Sequence, residues 1–206
     1  MTFRPIALAL TAALALAGCG KNPLNVTRNP CPAVAVPAYT GDVTLFSRPG
    51  TVNADAIDMV AAITNVRGGC GEAGDRFATN VSFDVLARRN NTAEARTVTL
   101  PWFAAVVQGG DKLVAKQMGQ VTINFAAGQD RAQASASAQS SVLRSATTLP
   151  ADVNERITRK RKPGDEDAAI DPMSDPKVRQ TVREATFEVL VGFQLDPSQL
   201  AYNATK

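Results

Sequence analysis

The sequence has 206 residues, a formal net charge of +3, three cysteines and no histidine. The missing imidazole excludes Ser-His-Asp and Cys-His catalysis, histidine-ligated zinc and the commonest general base. The small net charge gives no indication of a nucleic-acid partner, and the length is enough for one domain with a hydrophobic core.

The N-terminus has the layout of an export signal. Arg4 precedes an apolar run over residues 6–17, which is shorter than the roughly 20 residues that a transmembrane helix needs. The run ends in Leu16-Ala17-Gly18-Cys19, which resembles the lipobox of bacterial lipoproteins. The resemblance implies that residues 1–18 are a cleaved signal peptide and that Cys19 is lipidated, so that acyl chains such as palmitate hold the protein on a membrane.

The residue after the lipobox cysteine predicts which membrane this is. It is Gly20, whereas an aspartate there resembles the inner-membrane retention signal of enteric bacteria. We therefore predict an outer-membrane anchor with the protein on the periplasmic face, and residues 19–30 as a polar, lipidated tether. An ordinary secretory signal with an incidental cysteine is the alternative.

Two cysteines, Cys31 and Cys70, remain beyond the lipobox. The periplasm is oxidising, and an even pair of cysteines in an exported chain predicts a disulfide between them. The alternative, a pair of reactive thiols, lacks the CxxC spacing of redox motifs.

The first half of the mature chain predicts short strands. Residues 33–37 form an extended segment limited by prolines, residues 43–46 and 59–66 are apolar strand candidates, and the glycines of 67–71 predict a turn beside Cys70. Residues 76–88 alternate between apolar and polar side chains, which indicates a half-buried strand. Its predicted core residues are Phe77, Val81, Phe83, Val85 and Ala87.

The second half continues the pattern. Residues 96–108 predict a strand in which Pro101 indicates a bulge or an edge, and residues 109–112 predict a hairpin turn into an antiparallel strand over 113–125. The Ala/Ser-rich stretch 131–141 fits either a weak edge strand or a flexible connection. Further strands are predicted over residues 142–149 and, centrally in a sheet, 185–195. Asp196 and Pro197 then predict the cap and first residue of a short C-terminal helical turn.

Seven or eight short strands with little helical periodicity predict an all-β fold, an immunoglobulin-like or fibronectin-like antiparallel β-sandwich. We expect one domain over residues 31–206. Cys31-Pro32 and the segments 66–71, 102–107, 187–195 and 199–203 also resemble a family of uncharacterised alphaproteobacterial lipoproteins. The resemblance covers most of the mature chain, and it implies the compartment but no activity.

Residues 152–182 concentrate charge, prolines and glycines, and predict a charged, flexible loop. The run Arg159, Lys160, Arg161 and Lys162 is a candidate site for an anionic surface such as lipid headgroups. Because acidic residues follow at 165–167, the alternative is a loop that neutralises its own charge. The acids lack the calcium-loop pattern, and no metal or cofactor is predicted.

Trp102-Phe103, Phe193 and Tyr202 fill either a sandwich core or a binding groove. No nucleophile motif or base identifies an enzyme. The expected function is that of a non-enzymatic envelope component that binds another envelope protein through an edge strand or the charged loop. The alternative is a carrier that holds an apolar ligand or lipid in an enclosed cavity between its sheets.

Overall fold

The computed structural model describes residues 26–48 and 50–206. The predicted signal peptide, Cys19 and the first part of the tether lie outside the described residues. The strands are β1 (Ala33–Ala35), β2 (Asp42–Phe46), β3 (Ile57–Ala73), β4 (Arg76–Arg89), β5 (Arg96–Gln108), β6 (Lys112–Phe125), β7 (Arg131–Leu143) and β8 (Phe187–Phe193). The α-helices are α1 (Arg144–Thr147), α2 (Ala151–Thr158), α3 (Pro176–Glu184) and α4 (Pro197–Thr205), and short 3-10 helices cover Ala54–Ala56 and Pro172–Ser174.

The strands form two four-stranded sheets, which confirms the predicted β-sandwich. Sheet I has the order β1-β8-β5-β6, and sheet II has the order β2-β3-β4-β7. All pairs are antiparallel except β1 with β8. β6 and β7 each end a sheet, and residues 126–130 join them. The two sheets therefore meet along one side at two edge strands, which we call the seam.

The core lies between the inner faces of the sheets and is organised around β4. Its odd-numbered residues from Phe77 to Ala87 are buried, as the alternation predicted. Phe83 meets Trp102 of β5 edge to face, with ring centroids 5.4 Å apart. Trp102 and Phe193 are buried in this core, so the core interpretation of these two aromatics is confirmed. Tyr202 instead packs against Phe46, with ring centroids 5.2 Å apart.

The predicted disulfide is present and links the sheets. Cys31 lies two residues before the start of β1 in sheet I, Cys70 lies in β3 of sheet II, and their Cα atoms are 6.0 Å apart. The turn predicted over residues 67–71 is wrong, because β3 continues through it to Ala73. Gly68 is needed there for close packing, since a Cβ at this position would lie 2.5 Å from Cγ2 of Val34 in β1.

Two other strand predictions require correction. The bulge predicted at Pro101 is absent, because the register shift of β5 is at Val106/Val107. The edge alternative holds locally, since residues 96–101 of β5 pair with β6 but not with β8. The proline is tolerated because β8 pairs with β5 only from Trp102 onward. The strand predicted over residues 142–149 is also wrong, because β7 ends at Leu143 and α1 follows. Of the two alternatives for residues 131–141, an edge strand or a flexible connection, the structure shows the edge strand.

The charged region folds into helices where the sequence predicted a loop. Residues 26–28 and 149–180 form one compact unit, and residues 29–148 and 181–206 form a second, which contains the sandwich. The first unit contains α2 and most of α3. Within it, Arg156 donates a hydrogen bond to Asp175 at 2.8 Å, which connects α2 to the residue before α3. The expectation of an irregular loop is therefore wrong over 151–158 and 176–184.

The C-terminal helix α4 begins as predicted, at an Asp196 cap followed by Pro197. Asp196 Oδ1 accepts hydrogen bonds from the backbone N–H groups of Ser198 and Gln199, at 2.8 and 2.9 Å. The Gln199 side chain in turn accepts from the Asp196 N–H at 3.0 Å. This reciprocal capping box satisfies donors that a helix start otherwise leaves without partners.

Replacing this cap tests its contribution. Asp196→Ala is expected to lower the free energy of unfolding by about 1 kcal/mol. Hydrogen bonds from the Ser198 hydroxyl and the Gln199 N–H lower the pKa of Asp196. The contribution is therefore present above the ordinary carboxyl pKa and is lost as pH falls through the lowered pKa. Urea denaturation at neutral and strongly acidic pH measures it. Asp196→Asn, which keeps the acceptor but does not titrate, is the control, and an equal acid sensitivity of both proteins would contradict the assignment.

Gly119 in β6 provides a second test of the packing. A Cβ on this residue would lie 2.1 Å from Cζ2 of Trp102, so Gly119→Ala forces the indole or the strand to move. We expect a loss of about 1–3 kcal/mol in urea denaturation. Gly69→Ala is the matched control, because a Cβ at this strand glycine meets no atom within 4 Å. Equal effects of the two substitutions would rule out a tight contact between the indole and β6.

Candidate functional site

The structure describes the tether from Val26 onward. The Val26 N–H donates a hydrogen bond of 3.0 Å to the carbonyl of Ile157 in α2, within the helical unit. The lipidation site itself lies outside the described residues, and Cys19 stays a prediction. The described end of the tether is thus held by a helix.

The described part of the chain contains no helix that is long and apolar enough to cross a membrane. Over the same residues, no group of three or more cysteine or acidic side chains is arranged to hold a metal ion.

The basic run is largely neutralised by its own neighbours. Arg159 donates a hydrogen bond to Asp167, which raises the pKa of Arg159 and lowers that of Asp167. Arg161, whose side chain is 2% exposed, lies 3.3 Å from the same carboxylate and donates to the Arg156 carbonyl. Lys160 and Lys162 remain exposed. Each contributes only about 1 kcal/mol near an anionic membrane, so the geometry favours the self-neutralising alternative.

The sandwich has an open cleft at its seam. Its volume is about 500 Å³, and it is lined by the inner face of sheet I and by residues from both faces of β4 and β7 in sheet II. The residues that line its interior are mostly small: Ala104, Val106, Ala115, Gln117, Ala138 and Ser140. An enclosed apolar cavity was the expectation for a ligand carrier, whereas this cleft is open and has polar groups along its mouth.

The cleft lies where the inner face of β6 changes from buried to exposed. Near the connection, Val121, Ile123 and Phe125 of β6 are buried. Farther along the same face, Gln117 and Ala115 pair with Ala104 and Val106 of β5, yet they are exposed. The inner face of β6 therefore contacts the core over half its length and lines the cleft over the other half.

Three buried polar atoms near the cleft have no partner among the described protein atoms. They are Oγ of Ser140, Oγ1 of Thr79 and Nε1 of Trp102. Thr79 pairs with Ser140 across the β4–β7 ladder, and Trp102 lies one inner-face layer from Ala104 on β5. Such an atom costs about 1–3 kcal/mol when it lacks a hydrogen bond. Of the three, only Ser140 Oγ belongs to a residue of the cleft lining, and it would gain from an occupant that forms a hydrogen bond with it.

The two edge strands at the seam differ in their protection. β7 has one charged residue, Arg131 at its start, no proline, and an unbroken register with β4. β6 carries Lys112 and Lys116, and the Lys116 ammonium lies 5.0 Å from the centroid of the Phe103 ring. Lysines, prolines and bulges are the usual protection of an edge against added strands. By this criterion the edge of β7 is unprotected.

Sheet II also has a shallow depression on its outer face, with a volume of about 600 Å³. Its apolar floor includes Val60 and Leu86, which are 38% and 46% exposed, and Arg88 and Arg131 lie at its border. Neither this depression nor the seam cleft was predicted from the sequence. The one signal for the cleft was the run of small residues in β7, which leaves little side-chain volume to fill the space beside it.

Comparison of the chain with protein-family models, with curated proteins and with solved structures finds no match.

Proposed function

We propose that the mature protein is a non-enzymatic lipoprotein, anchored to the periplasmic face of the outer membrane, that binds another envelope protein through the seam of its sandwich. The lipobox ending in Cys19 supports the anchor. The observation that carries the binding role is the unprotected edge of β7 beside an open cleft. Exposed sheet edges bind extended polypeptides through main-chain hydrogen bonds.

The anchor is tested by metabolic labelling with palmitate. Cys19→Ser is expected to abolish the incorporation of palmitate, because the sulfur of Cys19 is the atom that receives the lipid. The double variant Cys31→Ser/Cys70→Ser is the control, since it removes the other two cysteines and leaves the lipobox intact. If the Cys19→Ser protein still sediments with envelopes and its leader is still removed at the same bond, the anchoring proposal is wrong.

The binding role is tested by placing a photo-crosslinking amino acid at Gln139 on β7 in intact envelopes. Thr97, which is also exposed on a strand but belongs to sheet I, is the matched control position. We expect one stoichiometric adduct with an envelope protein from position 139 and none from position 97. No adduct from either position, or equal labelling from both, would contradict a partner at the seam.

The second candidate is a carrier of an apolar ligand, which the cleft volume of about 500 Å³ favours. It requires binding of an apolar fluorophore such as N-phenyl-1-naphthylamine to the purified protein, with loss of the signal in Ala115→Phe, which fills the cleft. The mixed polar and apolar lining and the open mouth fit a peptide better than an apolar molecule.

A further inference from the structure

We infer that the partner donates a single extended strand to the edge of β7, with small side chains that enter the cleft and an acidic residue that meets Arg76. The inference rests on the proposed function, and it specifies the chemistry of the segment that the seam binds. The edge of β7 and the cleft form two parts of one binding site.

The backbone of β7 provides the first part of this site. In an antiparallel ladder, every second residue directs its N–H and C=O away from its neighbouring strand. β7 pairs with β4 over its whole length and ends sheet II, so these groups face the seam. From Ala138 onward, β7 borders the cleft. An added strand, at the usual spacing of about 4.8 Å, would satisfy this row of groups.

The side chains that surround the cleft define the second part. Successive residues of a strand point to opposite faces, so alternate side chains of the donated strand would enter the cleft. They would meet Ala104, Ala115 and Ala138, which leave about 500 Å³ of space. They would also approach the hydroxyl group of Ser140, which lines the cleft and lacks a partner among the described protein atoms. Small side chains such as alanine, serine, threonine and valine suit this lining.

The charges beside the cleft determine which edge strand accepts the partner and which charge the partner's segment carries. Arg76 is the charged residue that the structure places in the cleft lining, and its Nε donates to the Ser141 hydroxyl at 3.1 Å. No carboxylate of the described ranges forms an ion pair with it. A carboxylate on the partner would complement this guanidinium. The lysines of β6 oppose strand addition on the other side of the seam.

The first experiment uses the full-length, lipidated protein in intact envelopes. Photo-crosslinkers at Gln139 and at Gln117, which lines the cleft from β6, are expected to label the same short stretch of one polypeptide. Ser140→Lys places an inward-pointing charge at the edge and should reduce both adducts about ten-fold or more. Thr97→Lys, which adds the same charge to the outer face of sheet I, should leave both adducts unchanged. Equal unfolding temperatures of the two variants exclude misfolding.

The second experiment mixes the purified protein with a synthetic peptide that spans the labelled stretch. Strand addition predicts slower hydrogen exchange at amides within residues 137–143, and Arg76→Glu should weaken peptide binding about ten-fold. Crosslinked adducts without slower hydrogen exchange would overturn strand addition. Adducts with lipid would overturn the peptide partner and support the carrier of an apolar ligand. Adducts only from another surface, such as Leu86, would overturn this inference and leave the proposed function standing. No adduct from any surface would overturn both.

Discussion

Removal of the Cys31–Cys70 disulfide is expected to lower the free energy of unfolding by about 4 kcal/mol. The bridge closes a loop with a sequence separation of 39 residues, and its loss restores the conformational freedom of that loop in the unfolded chain. The local effect should concentrate at β1. This strand pairs with β8 over Ala33–Ala35 only, and the bridge is its covalent connection to sheet II, beside the packing of Val34 against Gly68.

Urea denaturation of Cys31→Ser/Cys70→Ser against the parent protein measures this loss. The parent in the presence of a reductant is the matched control and should unfold at the same urea concentration as the double variant. Hydrogen exchange should become faster at β1 and remain slow at β4, whose residues Phe83 and Val85 are almost completely buried. A loss below about 1 kcal/mol would show that the native contacts alone hold β1.

The strand pattern could be predicted where one face of a strand is buried and the other is exposed. β4 is the clearest case, because its apolar side chains at odd positions have the period of two that only a half-buried strand produces. The end of β3 could not be predicted in this way. Gly68 and Gly69 indicate a turn from sequence, but Gly68 lies in a strand because Val34 of β1 packs against it, and this tertiary contact leaves no local signal.

One helix of the charged region has a start signal in the sequence. Asp196-Pro197 correctly predicted the start of α4, and the same dipeptide occurs at Asp175-Pro176, where α3 begins. The Asp175 carboxylate accepts from the Lys177 N–H at 2.8 Å, as a capping residue does. The many charged residues and prolines of this region predicted a loop instead, although proline is favoured in the first turn of a helix.

The seam was only partly predictable. The Ala/Ser composition of β7 indicated an edge strand with little side chain to pack, and the structure confirms that position. The cleft lies where the inner face of β6 is not covered by sheet II, and this depends on tertiary packing. Exposure of Ala115 and Gln117 on the inner face of β6 therefore could not be derived from periodicity.

Phe83→Ala is expected to lower the free energy of unfolding by about 3–5 kcal/mol. Phe83 is 1% exposed at the centre of β4, and its ring is the point at which sheet II meets Trp102 of sheet I. The variant loses the transfer free energy of a buried ring and leaves a void between the sheets. It also loses an edge-to-face contact worth about 0.5–1.5 kcal/mol.

Ser82→Ala is the matched control, because the preceding residue faces outward on the same strand and should change stability by no more than about 0.5 kcal/mol. A double-mutant cycle with Trp102→Leu isolates the aromatic contact, and a coupling energy near zero would show that the two rings pack independently.

Since Trp102 lies two residues before Ala104, which lines the cleft from β5, Phe83→Ala should also loosen the cleft wall. Hydrogen exchange in β5 near Ala104 is then expected to become faster together with exchange in β4. Faster exchange in β4 alone would show that the packing of Phe83 does not stabilise the cleft wall.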